Sequence, residues 1–498
     1  QSGGYSLIWR ATMVLLGAIR SRYLALVFRR GPISSLTSTG MLHYIINKTL
    51  VRFVRPRKKG LTELPFCECR TGSRAETDVR RCAGPELEEV GSWNQQVERE
   101  EDMRMRYSMI GVLLAIIFLA APVQARTIKI GLILPFSGPN ADLGDQMDRA
   151  VRLYLKTHPK IPGGHTIEII RRDATGPKPD IAKRLAQELV IRDKVDILAG
   201  VVYSNNALAI IDVVNEAKVP LMIMNAASSM ITTRSPYVAR TSLTMWQVAY
   251  PLGGLAFKEF GIKNAAVAYA NYASGIDAVE AFKASFTAAG GKIVLDVPFP
   301  FPNIPDFTPF LQRIKDTKPD GLYVFVPTGK YSSAFFTTLH TLGLREAGIK
   351  LLADGDITDE NELRNLGDSA LGMITLWHYS AGSDRAANLA FVAEWKKAYG
   401  ADSLPGFLAV GAWDGMDAIY HAIDKTNGAM GAEATVAAWK TWKSNSPRGP
   451  VYIDPETRDI VQNMYLRETK KIGGKLINVE YRTYEAIKDP WKELNKKK

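Results

Sequence analysis

IKIGLILPFSGPNADLGDQMDRAVRLYLKTH, residues 128–158, reads as strand, loop and helix. Ile128, Ile130, Leu132, Ile133 and Leu134 make a nearly continuous apolar run, the pattern of a parallel strand buried on both faces. Pro135 ends the run, Ser137-Gly138-Pro139-Asn140 supplies turn residues, and Leu143, Met147, Val151 and Tyr154 then recur at helical spacing. In an open parallel sheet, the loops at the carboxyl ends of strands face helix N-termini, where unpaired N–H groups can hold a small anion. The loop after residue 134 is therefore the first candidate wall of a ligand site.

The same pattern repeats down the chain. Residues 166–172 read as a strand, 179–192 as a helix with Ile181, Leu185 and Leu189 on one face, and 195–201 as a buried strand ending in Val202-Tyr203-Ser204-Asn205-Asn206. A helix over 207–217 and a strand over 219–224 follow, the strand ending in Asn225-Ala226-Ala227-Ser228-Ser229. The alternation restarts at Asn264, with strands over 265–269, 293–297, 322–326, 350–353 and 373–378 and helices over 276–289, 307–315, 332–342, 386–399 and 407–424. From about residue 450 the tail reads as short strand segments at 451–453 and 461–467. Strands alternating with helices of this length predict an α/β protein with parallel, doubly wound sheets. So many strands exceed what one core holds, so two lobes of one architecture are expected.

The chain has 498 residues, of which 46% are hydrophobic, enough to bury a large core. Its +12 net charge is unevenly placed: residues 1–106 carry 18 basic and 11 acidic residues, and 107–125 carry neither, which leaves only +5 for the rest. That surplus, much of it Lys496-Lys497-Lys498, does not imply nucleic acid. All three cysteines, Cys67, Cys69 and Cys82, lie in the first hundred residues, without the spacing or the fourth ligand of a zinc site.

Residues 103–125, MRMRYSMIGVLLAIIFLAAPVQA, have the form of an export signal. Arg104 and Arg106 precede an apolar stretch from Met109 to Ala121 that is too short to span a membrane, and Val123-Gln124-Ala125 fits a small-residue cleavage site. A signal must be N-terminal to act, so residues 1–102, which begin at Gln1, are expected to be a non-native upstream extension without a fold. The start is expected at Met103 or Met105, and the mature protein at about Arg126.

From about residue 128 to the C-terminus, the motifs occur in the order of a known family. IGLILPFSGPNADLGDQMDRAV, VDILAGVVYSNNALAI, KVPLMIMNAASS, YASG at 272–275 and DFTPFLQRIKDTKPDGLYVF together resemble the periplasmic solute-binding proteins of ABC importers, specifically the branched-chain amino acid (leucine/isoleucine/valine) binding family. The resemblance implies a type I periplasmic binding protein: two Rossmann-like lobes joined by three hinge crossings, here near 240–243, 375–379 and 447–451. Lobe 1 is then 126–242 with 377–448, and lobe 2 is 243–376 with 449–498. It further implies a monomeric periplasmic subunit without cofactor or metal, which delivers a small-molecule carboxylate to a membrane ABC permease. A hydrophobic amino acid is the expected solute, with an aromatic or other apolar carboxylic acid as the alternative.

By motif, the family's carboxylate-binding hydroxyls fall on Ser204, beside Tyr203, and on Ser228, with Ala226 offering a backbone carbonyl. Spacing alone would read both serines as ordinary helix caps. Tyr272 matches the second-lobe aromatic that closes over the solute. The family also places an acid after the strand at 350–353 to receive an ammonium group. Here that segment reads Ala353-Asp354-Gly355-Asp356, with Gly355 nearest the family's Glu, so Asp354 or Asp356 must serve if either does. Leu143 stands where some members carry Tyr, and Trp246, Trp377 and Tyr379, near the expected crossings, read as packing or hinge residues.

An enzyme would need chemistry that residues 126–498 lack: they hold no G-x-G-x-x-G, no G-x-x-x-x-G-K-[ST], no H-E-x-x-H and no cysteine nucleophile. His158, His165, His340, His378 and His421 are scattered without an i, i+4 pair. A cytoplasmic ligand-sensing regulator of the same fold is the distant alternative, and it conflicts with the export signal.

Overall fold

The computed structural model describes Met103 and residues 125–496. The expected upstream extension, and the export signal apart from Met103 and Ala125, lie outside the described residues. Residues 125–496 fall within one compact unit.

In chain order the strands are β1 (Thr127–Leu134), β2 (Thr166–Asp173), β3 (Ile197–Gly200), β4 (Leu221–Ile223), β5 (Val238–Arg240), β6 (Asn264–Ala270), β7 (Lys292–Phe299), β8 (Gly321–Phe325), β9 (Lys350–Asp354), β10 (Ile374–Trp377), β11 (Lys443–Ser446), β12 (Gly449–Ile453), β13 (Ile460–Ile472) and β14 (Lys475–Ile487). The helices are α1 (Ala141–Thr157), α2 (Pro179–Gln187), α3 (Ser204–Ala217), α4 (Met245–Lys258), α5 (Ala273–Ala288), α6 (Thr308–Thr317), α7 (Lys330–Thr341), α8 (Leu363–Leu366), α9 (Ala386–Tyr399), α10 (Phe407–Thr426), α11 (Ala432–Trp439) and α12 (Pro490–Asn495).

Two lobes result, each built on its own sheet. The first sheet is parallel throughout, in the order β2-β1-β3-β4-β5, and Ile130 of β1 lies opposite both Ile169 and Ile197. Flanked on both sides, β1 is buried on both faces, which is why its sequence does not alternate. The second sheet has a parallel centre of β7, β6, β8, β9 and β10, and β13 runs antiparallel to β10. It is therefore mixed, where the sequence predicts parallel strands only.

The tail also differs from the expected short segments. β13 and β14 form one long hairpin that turns at Gly473-Gly474, both at positive φ, where glycine is unstrained. Arg467, Glu468, Lys470 and Lys471 interrupt its apolar pattern. Helix α4 escapes the sequence reading for the opposite reason: it is buried on most sides and packs against α5, so it shows no polar stripe.

The chain returns to the first lobe with α9, whose Tyr399 donates to the Arg149 carbonyl of α1 at 2.7 Å, and with α10. Tyr154 of α1 donates to Asp417 at 2.8 Å, and Tyr420 donates to the His158 carbonyl at 3.0 Å. A side chain at Gly411 would collide with the Met224 carbonyl, so this glycine sets how closely α10 lies on the end of β4.

Three fully buried arginines sit at the expected crossings. Arg240 donates to Asp459 at 2.8 Å and to the carbonyls of Ala226 and Ser228 at 2.8 and 2.9 Å. Arg448 donates to Asp414 at 2.8 Å, to the Ser242 carbonyl at 2.9 Å and to the Thr241 carbonyl. Arg467 donates to the Tyr379 carbonyl at 2.5 Å and to Thr375 at 3.2 Å. Each gathers carbonyls that a chain changing lobes would leave unpaired.

Candidate functional site

The carboxyl ends of β3 and β4 in one lobe face those of β6, β7, β8 and β9 in the other. The turn after β3 is tight. Gly200 has φ +99°, and a Cβ there would stand 2.9 Å from the Ile133 carbonyl; Val201 follows at φ +65°, a left-handed conformation that costs a β-branched residue about 1–3 kcal/mol. This strained pair turns the chain so that Tyr203 and the first residue of α3, Ser204, enter the space between the lobes.

There α3 meets α5 end to end. Ser204 Oγ lies 2.8 Å from Ser274 Oγ, and the Ala273 N–H donates to Asn205 at 3.3 Å. Helix N-termini carry partial positive charge and amides that the helix itself cannot pair. Two such ends converging from different lobes make an anion-attracting point without a buried cation.

Ser204 also holds the loop after β4. Its fully buried hydroxyl accepts from the Ala227 and Ser228 N–H groups at 3.1 and 3.0 Å. Ser228 is buried in this loop, and the Ala226 carbonyl, expected to face solute, already accepts from Arg240. Both expected serines and Ala226 thus belong to one hydrogen-bonded unit.

Aromatic walls enclose this point. Tyr272, at the start of α5, stacks on Phe301 with ring centres 4.2 Å apart, and Phe301 lies 6.2 Å from Tyr203 and 6.3 Å from Tyr331. Tyr331 is fixed by donating to the Pro300 carbonyl at 2.6 Å. Burial pushes the Tyr203 phenol up, with Asp142 and Asp356 adding. The Tyr272 phenol also rises by burial, with Asp356 and Tyr203 adding. Phe301 and Tyr331 are absent from the residues singled out in the sequence, and Ser274 and Asn205 lie inside its motifs without a role of their own.

The two acids after β9 part ways. Asp354 is fully buried and accepts from Tyr323 at 2.7 Å, while Tyr323 stacks on Phe282 of α5 at 4.2 Å, so this acid is held behind the sheet's edge. Asp356 is only partly enclosed, and its charge acts on both Tyr203 and Tyr272. Burial pushes its carboxyl up to about 8, with Asp359 adding and the Arg467 guanidinium opposing. Gly355 between them is enforced: any side chain there would collide with Trp377 and Arg467. Trp377 packs on Phe407, Trp246 on Tyr250, and the Tyr379 hydroxyl donates to Asn388, as packing residues do. Among the described residues, no group of three or more His, Cys, Asp or Glu is placed to hold a metal ion.

Comparison with known proteins gives the family. The chain is 41% identical over 379 residues to Leu/Ile/Val-binding protein homolog 6 of Brucella abortus, covering 76% of this chain and 97% of that one. It is 46% identical to a solute binding protein of an ABC transporter from Rhodopseudomonas palustris solved in complex with 3,4-dihydroxybenzoic acid, with a TM-score of 0.70 over 74% of this chain and 99% of that one. A second R. palustris solute binding protein, in complex with 4-hydroxybenzoate, is 41% identical, with a TM-score of 0.70 over 73% and 98% of the two chains. Residues 127–475 match the periplasmic binding protein family model. The chain belongs to the periplasmic binding protein family, as a solute-binding protein of ABC transporters related to the Leu/Ile/Val-binding proteins.

Proposed function

We propose that the protein captures an aromatic carboxylic acid of the benzoate type in the periplasm and, as a monomer, delivers it to its ABC permease. The observation that carries this reading is the wall of Tyr203, Tyr272, Phe301 and Tyr331 around two facing helix N-termini. Planar aromatic surface suits a ring, and the amides converging at the α3 and α5 N-termini, beside Ser204 and Ser274, suit its carboxylate. The relatives that share 46% and 41% of its residues were solved with ring acids. Binding without chemistry accords with the family, and no catalytic role is assigned to any residue. Export with cleavage near Ala125 completes the proposal; mass spectrometry of the periplasmic protein should find Arg126 as the first residue, and a retained 103–125 segment would count against it.

A branched-chain amino acid is the second reading, favoured by the cluster of three acids, Asp356, Asp359 and Glu360, around the buried cation Arg467. Calorimetry on residues 126–498 with benzoate, 4-hydroxybenzoate, leucine and isoleucine separates the two. We expect the benzoates to bind and the amino acids not to. Asp356→Asn should then change benzoate affinity by less than about 1 kcal/mol. If leucine binds instead, the same substitution strands an ammonium and costs about 3–5 kcal/mol.

A further inference from the structure

Every backbone polar group of residues 226–229 that the fold pairs is paired by an identifiable group. The Ala226 N–H donates to the Val201 carbonyl at 3.0 Å, and the Ala227 carbonyl accepts from Met245 at 3.0 Å. Arg240 serves the Ala226 and Ser228 carbonyls, and Ser204 serves the Ala227 and Ser228 amides. One partner comes from the other lobe: the Ser229 N–H donates to Asp277 Oδ2 of α5 at 2.7 Å, with Asp277 8% exposed. The amide–carboxylate bond is charge-assisted, and it forms only when the lobes meet.

We infer that Asp277 is a positioning residue through which the second lobe fixes the loop carrying Ser228 when the protein closes on solute. This deepens the proposed capture function and rests on a carboxylate solute lying at the α3 and α5 N-termini. Asp277 reaches the solute only through the loop, so its effect should be shared by every solute that closes the protein.

The bond also ties closing to pH. Burial holds the Asp277 carboxyl up at about 6, with the Ser229 amide, the Ser228 hydroxyl and Arg240 opposing and Glu280 adding. With the lobes apart it faces water and should titrate near its ordinary value of about 3.9. The higher value belongs to the closed form, so closing takes up a proton between these two values. Affinity should therefore strengthen as pH falls from 7 to 5, by roughly tenfold at most from this group. The groups facing it are Arg240 from β5, Asp489 and Lys492 from α12, and Glu280 on its own helix. Burial pushes Asp489 up to about 6 and Lys492 down to about 6, with opposite effects on the slope. A variant at Asp277 isolates its share.

The test is calorimetry from pH 5.5 to 8 on wild type, Asp277→Asn and Asp277→Ala, using the tightest binder among benzoate, 4-hydroxybenzoate, 3,4-dihydroxybenzoate and leucine. Leucine alone binding would overturn the aromatic reading and leave this measurement intact. Asp277→Asn, which still accepts from Ser229, should bind at least as tightly as wild type at pH 7 and lose part of the pH slope. Asp277→Ala should bind that solute roughly tenfold more weakly, with the thermal stability of the solute-free protein unchanged. Residues 126–498 contain no cysteine, so spin labels at Glu216→Cys and Ala288→Cys, exposed near the far ends of α3 and α5, report closing directly. At a fixed solute concentration the closed fraction should fall in Asp277→Ala. Wild-type affinity in Asp277→Ala, or a wild-type pH slope in Asp277→Asn, would overturn the proposal.

Discussion

Arg448→Met is expected to lower the unfolding free energy by about 3–5 kcal/mol, the cost of leaving a buried carboxylate without its partner. Arg448 and Asp414 are both at most 1% exposed, and their ion pair is the centre of a larger knot. Ser446 donates to the same Asp414 oxygen at 2.8 Å, and Arg448 also serves Gln462 and the carbonyls of Thr241 and Ser242. Burial already pushes the Asp414 carboxyl up to about 6 against the pull of Arg448 and the Ser446 hydroxyl, with Asp417 adding, so losing Arg448 removes the main group that favours the carboxylate. Methionine keeps an apolar stem in place of the arginine's but not the guanidinium, which limits the cavity to the space of that group and leaves the unpaired charge as the main loss. Urea unfolding measures it, and the double variant Arg448→Met/Asp414→Leu should recover most of the stability, since an apolar pair of similar volume can replace a buried ion pair. Full stability in the single variant would refute the assignment. Because Thr241 and Ser242 lie at the expected first crossing and Arg448 at the expected third, the single variant should also loosen lobe closure.

The architecture was legible because parallel strands buried on both faces announce themselves as apolar runs, as at 128–134 and 197–200, and because helices between them keep an apolar stripe. Elements without that contrast were not legible: α4 is buried nearly all round, and the β13–β14 hairpin is studded with charge. At the site, the first-lobe residues Tyr203, Ser204 and Ser228 were named through the family resemblance, because spacing after a strand reads both serines equally well as helix caps. Their second-lobe partners were not. Ser274, Asp277 and Phe301 acquire meaning only from contacts 70, 48 and about 100 residues away in sequence, across a cleft that no local pattern encodes, and Tyr331 joins the wall only through Phe301. A signal for Phe301 did exist in the Pro298-Phe299-Pro300-Phe301-Pro302 run after a strand, an aromatic loop at a carboxyl end. The acids at 354 and 356 were indistinguishable in sequence, and only the direction each takes from the strand end sends one behind the sheet and the other toward the tyrosines.

Ser204→Ala should weaken both the fold and the grip on solute, and the two losses can be separated. The hydroxyl oxygen accepts two amides, which uses both lone pairs, so its own hydrogen points to Ser274 Oγ. Alanine therefore strands the Ala227 and Ser228 N–H groups in a buried loop, at about 1–3 kcal/mol each before any relief by water. It also removes the bond that joins α3 to α5 across the cleft. Ser274→Ala removes that bond and leaves the loop amides paired, which makes it the control. Unfolding of the solute-free protein should register a loss of about 2–4 kcal/mol for Ser204→Ala and little for Ser274→Ala, because Ser274 supports the Tyr272 phenol but no backbone amide. Solute affinity should fall in both, by about 0.5–1.5 kcal/mol for Ser274→Ala and by more for Ser204→Ala, whose loop is no longer held in shape. In the double variant the affinity losses should fall short of additivity, since one cross-cleft bond cannot be lost twice. Additive losses would mean that the two serines act on the solute separately, and equal stability of both single variants would mean that Ser204 does not hold the loop.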